Sequence, residues 1–209
     1  MKNQNEKILK WEKRDYLRTA AYFVIHSLII ILLYTFALFL STNFDVTLAW
    51  RQFSEDGGVF GKILYLVISV LLISGGMFLY LFFEDRDFLY HGKNVNMLFV
   101  ILEVSILMSY ALGKFRGINA RPFALCALLV LMTSDRRKAV FMNCMVCLLV
   151  FMSDAFVSVD LTVDKNLYAT LVIGFITSTM AIYLVDGQSA RFKVFLLGLP
   201  ISVPVVISW

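Results

Sequence analysis

TAAYFVIHSLIIILLYTFALFL, residues 19–40, contains no Lys, Arg, Asp or Glu, and its one imidazole is His26. A helix over these 22 residues would be about 33 Å long, close to the ~30 Å hydrocarbon core of a bilayer. Such a run is apolar all round, so it is either the centre of a large soluble core or a membrane span. The rest of the chain decides between them. KILYLVISVLLISGGMFLYLFF, residues 62–83, repeats the pattern at the same length, and MLFVILEVSILMSYALG, residues 97–113, repeats it with Glu103 at its middle. Residues 122–134 and 139–153 are shorter apolar runs split by Asp135-Arg136-Arg137-Lys138, and residues 167–185 and 194–209 complete a set of seven. One helix through the charged split would place four charges at mid-membrane, at roughly 2.5–3.5 kcal/mol each on insertion scales, so the split reads as a tight helical hairpin.

Composition agrees. Of the 209 residues 60% are apolar, 16% charged and 15% aromatic, with three prolines and a mean hydropathy of +0.79. These figures exclude a water-soluble globule, a disordered chain, a collagen and a disulfide scaffold. Cys126, Cys144 and Cys147 all lie inside apolar runs. The expected fold is therefore all-α, a polytopic transmembrane helix bundle of about seven spans. Residues 1–18 form a basic cytoplasmic segment and residues 19–209 a single transmembrane domain. A cleaved signal peptide does not fit, because the first run exceeds the ~7–15 residues of such a region.

Orientation follows from the basic residues. With the N-terminus inside, thirteen of the nineteen Lys and Arg fall in inner segments, which places the N-terminus in the cytoplasm. Seven spans then leave Trp209 outside, in a run that holds Pro200 and Pro204. That ending raises the expectation of a fragment. The longest outer joint, residues 41–61, suits a short helix on the membrane surface rather than a domain. Gly75 and Gly76 allow a close helix approach or a kink.

The chain contains no GxxxxGK[ST], HExxH or GxSxG motif, so phosphate-loop, zinc-hydrolase and nucleophile-elbow chemistry have no carrier. Cys144 and Cys147 form a CxxC without the second pair that a structural zinc needs. No cofactor or metal is expected. Glu103 carries the most information, since an ionised carboxylate at the bilayer centre is costly. It points to a partner in the bundle, lines a watery cavity, or is protonated. Asn143 and Ser105 are candidate companions, and His26 is another, although helical spacing cannot say whether the two meet. Lys114, Arg116 and Arg121 run against the inside bias and form a candidate outer patch for an anion. Asp135, Arg136 and Arg137, with Lys138, form the inner turn, whose cations would sit among anionic headgroups or contact a cytoplasmic partner. Glu84 to Asp87 would cap and solvate the end of the second span.

The stretch INARPFALCALLVLMTSDRRKAVFMNCMVCLLVFM, residues 118–152, and LYATLVIGFITSTMAIYLVDGQSARFKVFLLGLP, residues 167–200, resemble the membrane region of the bacterial seven-transmembrane HD-domain phosphohydrolases, the PgpH-like cyclic-di-AMP phosphodiesterases. The anchors are Pro122, the DRR joint, Gly174 and Arg191, and the resemblance covers roughly residue 61 to the end. It implies a membrane module that signals by helix rearrangement. In that family a large extracellular domain follows the first span and a cytoplasmic HD domain follows the last. Here the equivalent joint is residues 41–61, and the two histidines, His26 and His91, are not followed by Asp, so the family's metal site has no counterpart.

Three functions stay open: a non-catalytic sensory or regulatory membrane module, a small transport component of the vitamin-transporter substrate-binding type, and a cell-envelope scaffold. The expected partners are a bilayer with anionic headgroups and either a cytoplasmic partner domain or a second copy, with no nucleic acid. The expected location is a bacterial plasma membrane, crossed several times.

Overall fold

The computed structural model describes residues 13–55, 58–116, 121–157 and 165–185. They form helices α1 (Lys13–Ser41), α2 (Val46–Glu55), α3 (Gly58–Glu84), α4 (Arg86–Tyr90), α5 (Gly92–Arg116), α6 (Phe123–Thr133), α7 (Arg136–Val157) and α8 (Lys165–Val185), and no strand occurs among the described residues. Among the described residues, four stretches are long and apolar enough to cross a membrane: Leu17–Ser41, Gly58–Glu84, Gly92–Lys114 and Arg136–Val157. The protein is thus an all-α membrane protein. Helix α6, with 11 residues, would reach only about 16 Å, and α8 contributes the shorter apolar stretch Leu171–Val185. The third run, short in sequence, is a 25-residue helix because the polar stretch from Gly92 to Asn96 joins it. The seventh run, residues 194–209, and residues 1–12 of the basic segment lie outside the described residues.

Why the helices break where they do is local chemistry. Helix α1 ends with Asn43 and Phe44 at positive φ, 53° and 63°, and Phe44 N–H returns to the Phe39 carbonyl at 2.8 Å, a closure that stops the helix. Asp45 starts α2 by accepting from the N–H groups of Thr47 and Leu48 at 2.9 and 3.2 Å. Its carboxyl is held below its usual range by the Thr47 hydroxyl first and these amides next. Ser134 is extended between α6 and α7, so the DRRK split is a helix break, as insertion energetics require.

Helix α6 packs against α7 and α8, which also pack on each other, while α1 lies along α5, and α3 touches α1 and α7. The inward faces meet in a core that includes Ile30, Tyr34, Ile73, Met77, Phe99 and Met142. The outward faces are as apolar as the core. On α1, Val24, Leu28 and Leu32 are exposed, and on α3 Ile63, Val67, Leu71 and Phe83 are. An apolar surface of this extent is of the kind that lipid covers around membrane-spanning helices. Small residues set the closest approaches. A Cβ on Gly174 of α8 would lie 2.9 Å from ring atoms of Phe123 in α6, whereas one on Gly75 would meet nothing within 4 Å. Helix α3 runs through both glycines. It is Gly76 that faces a neighbour, with Met145 Cε 3.2 Å from the position of its Cβ.

Gly174→Ala should therefore destabilise the bundle by about 1–3 kcal/mol through overpacking, with Phe123→Leu partly restoring it. Gly75→Ala should be neutral or slightly stabilising, from better helix propensity. Thermal unfolding of the variants in one detergent compares them directly.

Candidate functional site

His26 lies near the middle of α1 and Glu103 near the middle of α5, and the fold puts them in contact: His26 Nδ1 is 2.7 Å from Glu103 Oε1. His26 Nε2 is 3.0 Å from Asn96 Oδ1. The imidazole is 3% exposed and the carboxylate 12%. Phe99, between Asn96 and Glu103 on α5, stacks on the imidazole at 4.6 Å and 3°. Phe23 meets Phe99 edge-on at 5.2 Å and Phe78 at 5.6 Å. The ring is thus clamped between an aromatic face and two oxygens. On the next residue of α1, Ser27 Oγ lies 2.8 Å from Ser74 Oγ of α3.

The proton count of this group is constrained. With Asn96 Oδ1 as acceptor, His26 Nε2 carries a proton. Nδ1 and Glu103 then share one more, either as imidazolium and carboxylate or as neutral imidazole accepting from a protonated carboxyl. These two states differ by a transfer across 2.7 Å and are both neutral overall, which is what a low-dielectric interior favours. Loss of that proton leaves two acceptors face to face, unless Asn96 turns its amide to donate to Nε2 and Nδ1–H points at the carboxylate. Protonation is thereby coupled to a side-chain rearrangement between α1 and α5. Asn96 and Glu103 are seven residues apart, two turns on one helical face. That spacing was readable in the sequence, although it did not single out Asn96.

The other candidates go elsewhere. Asn143 is not a companion of Glu103. Its Oδ1 accepts from Ser178 Oγ and from Cys147 Sγ at 3.5 Å, and its Nδ2 donates to Thr179 Oγ1 at 3.4 Å, tying α7 to α8. Ser105 donates to the Ile101 carbonyl of its own helix at 2.7 Å. The outer trio is divided as well. Arg121 makes a two-pronged ion pair with Asp154 of α7, one contact at 2.9 Å, so its charge is committed to the bundle. Lys114 is exposed, and the side chain of Arg116 lies outside the described residues. The same end of α7 is covered by donors from other elements: Lys62 Nζ to the Phe156 carbonyl at 2.7 Å, Tyr65 Oη to that of Met152 at 3.0 Å, and Gln52 Nε2 to that of Val157. A cation over helix-terminal carbonyls is favourable.

At the opposite end the two charged joints interlock. Lys138 Nζ lies 2.8 Å from Asp85 Oδ2 and 2.9 Å from Asp135 Oδ2, over the Phe88 ring at 4.5 Å. Arg137 Nη1 lies 2.6 Å from Glu84 Oε1. Arg136 sits over the Tyr183 ring at 4.0 Å. Asp85 also caps α4 through Phe88 N–H at 2.9 Å. Burial pushes the Asp85 carboxyl up, but the hydrogen bonds from Lys138 and Phe88 outweigh it and hold the group below its usual range. Among the described residues the hydroxyls of Tyr34, Tyr80, Tyr110, Ser134 and Ser153 are buried without a hydrogen bond of good geometry. Cys126, Cys144 and Cys147 are free thiols. Among the described residues no group of three or more His, Cys, Asp or Glu side chains could hold a metal ion.

No family model, curated protein or solved structure matches the chain. The likeness to the seven-transmembrane HD family therefore rests on the residues quoted for it.

Two outcomes follow from this geometry. His26→Ala should destabilise the protein by about 1–3 kcal/mol by leaving Glu103 and Asn96 without their shared partner, whereas Glu103→Gln, which still hydrogen-bonds, should fold normally. Thermal unfolding of the two variants tests the contrast. Because the Asp85 value is depressed in the fold, its contribution is present above the unfolded-state value near ~3.9 and is lost as pH falls through the folded value. Asp85→Asn should therefore flatten the fall in Tm between about pH 5 and pH 3, read from unfolding curves across that range.

Proposed function

We propose that the chain is a membrane-embedded sensory module without catalytic machinery of its own, whose responsive element is the His26–Glu103–Asn96 group. The observation that carries this reading is the 2.7 Å contact between an imidazole and a carboxyl, both largely buried, on two different membrane-spanning helices. Ionisable residues at such depth are costly and mark functional positions. Histidine is the side chain that changes charge between about pH 5 and 8. Among the described residues, His26 is the ionisable side chain in contact with Glu103. From α1, α3 and α5 the surroundings are otherwise Phe23, Ser27, Ser74, Phe78, Asn96 and Phe99. A change of one proton therefore acts on the α1–α5 contact without another charge to absorb it.

The resemblance to the HD-phosphohydrolase membrane region supports this reading, with helix rearrangement passed to a cytoplasmic partner. In this reading the N-terminus is cytoplasmic, the chain makes about seven crossings, and the membrane is a bacterial plasma membrane.

The test is a distance measurement. Spin labels at Leu17→Cys on α1 and Lys93→Cys on α5, in a background carrying Cys126→Ala, Cys144→Ala and Cys147→Ala, report the α1–α5 separation by pulsed electron resonance in liposomes. The separation should shift between about pH 5 and 8, and the shift should vanish in Glu103→Gln and persist in Lys114→Gln. No shift, or one that survives Glu103→Gln, overturns the reading. A proton leak abolished by Glu103→Gln without any distance change would instead assign the site to transport.

A further inference from the structure

Two cavities meet at the interlocked joints and share Glu84, Arg136 and Arg137. One, of about 490 Å³, is lined only by ionisable side chains: Glu84, Asp85, Asp135, Arg136, Arg137 and Lys138. The other, of about 720 Å³, continues from it as a groove between α3 and α7, along Tyr80, Val140, Phe141 and Cys144 to Tyr183 of α8. Both volumes are in the range of small-molecule sites, ~300–1,000 Å³. A charged compartment opening into an apolar groove beside a membrane-spanning helix suits a phospholipid, with its headgroup at the joint and an acyl chain along the α3–α7 seam, over the stacked Tyr80 and Phe141 rings.

The charges say which headgroup. Taken as cations alone, Arg136, Arg137 and Lys138 favour an anionic lipid. Among the described residues the fold brings three carboxylates against them, those of Glu84, Asp85 and Asp135, so these six charges balance. A net anion would unbalance them, whereas a zwitterion would not. Arg137 is 82% exposed and meets Glu84 through one Nη. A guanidinium has five N–H donors, more than one carboxylate can use, so a phosphodiester can be held beside that ion pair. Asp135 is 77% exposed and Glu84 38%, so both keep acceptor capacity for an ammonium with N–H donors. Tyr183 holds Arg136 from below at 4.0 Å, which orders the rim of the groove.

We propose that this amphipathic cleft is a binding site for a phospholipid with a primary-ammonium headgroup, its phosphate on the arginine pair and its ammonium on the Asp135 and Glu84 carboxylates. The site lies at the far end of α7 from the Arg121–Asp154 pair, and it does not rest on the His26–Glu103 reading.

Tyr183→Trp, with Trp11, Trp50 and Trp209 replaced by Phe, puts one fluorophore on the groove and keeps an aromatic face under Arg136. Its quenching is followed in vesicles with increasing fractions of chain-brominated phosphatidylethanolamine, phosphatidylcholine or phosphatidylglycerol. Half-quenching should need about threefold less phosphatidylethanolamine than phosphatidylcholine, which has the same phosphate but no N–H on its nitrogen. Glu84→Gln combined with Asp135→Asn should erase that difference. Equal quenching by the two overturns the proposal, and so does stronger quenching by phosphatidylglycerol, which would mark an anion site. The lipid comparison needs only the single-tryptophan protein, so it decides the matter even if the double carboxylate variant fails to fold.

Discussion

Hydrocarbon offers no hydrogen-bond partner, and most of this structure follows from that one constraint. Backbone groups must close on themselves, so the long apolar runs are helices. Side-chain polarity must be matched inside the protein, so some buried polar groups mark a crossing while others, such as Ser105, return to a carbonyl of their own helix. His26 with Glu103 ties α1 to α5, Ser27 with Ser74 ties α1 to α3, and Asn143 with Ser178 ties α7 to α8. The end of α7 is held by Lys62 and Tyr65 of α3. Between these contacts packing is generic, since lipid and leucine are equally apolar and the hydrophobic effect does not choose helix neighbours.

Against that background the His26 group differs from the other ties. Hydroxyl and amide contacts keep their protons across the physiological range, whereas an imidazole facing a carboxyl has several proton arrangements of similar energy. The Phe99 stack and the Asn96 oxygen hold the ring from two sides, and in the proposed reading a change in its proton number is met first by a turn of the Asn96 amide on α5.

The charged joints show how far a charge count can mislead. DRRK read alone is a basic turn, and EDRD read alone is an acidic cap. In the fold, Lys138 lies between Asp85 and Asp135, and Arg137 faces Glu84. Among the described residues the outcome is an interlocked surface of balanced charges at the helix ends. Likewise Arg121, one of three cations expected to form an outer patch, is neutralised by Asp154, which no spacing rule had placed beside it.

The sequence by itself determined the class of solvent, the helical class of the fold and roughly where the long apolar helices lie, because these depend on local quantities: run length, charge per turn, and the cost of charge in hydrocarbon; the helix ends, such as the start of α5 at Gly92, and the short α4 were left to the fold. It also singled out His26 and Glu103, since an ionisable residue in an apolar run is conspicuous without any fold. Only the tertiary structure decided that these two meet, that Asn143 belongs to another junction, that Asn96 completes the group, and that Gly174 rather than Gly75 receives a neighbour. The physical reason is that which face of one apolar helix meets which face of another is set by small residues and a few polar contacts dozens of positions apart. Periodicity along a single helix that is apolar on every side carries no record of that choice.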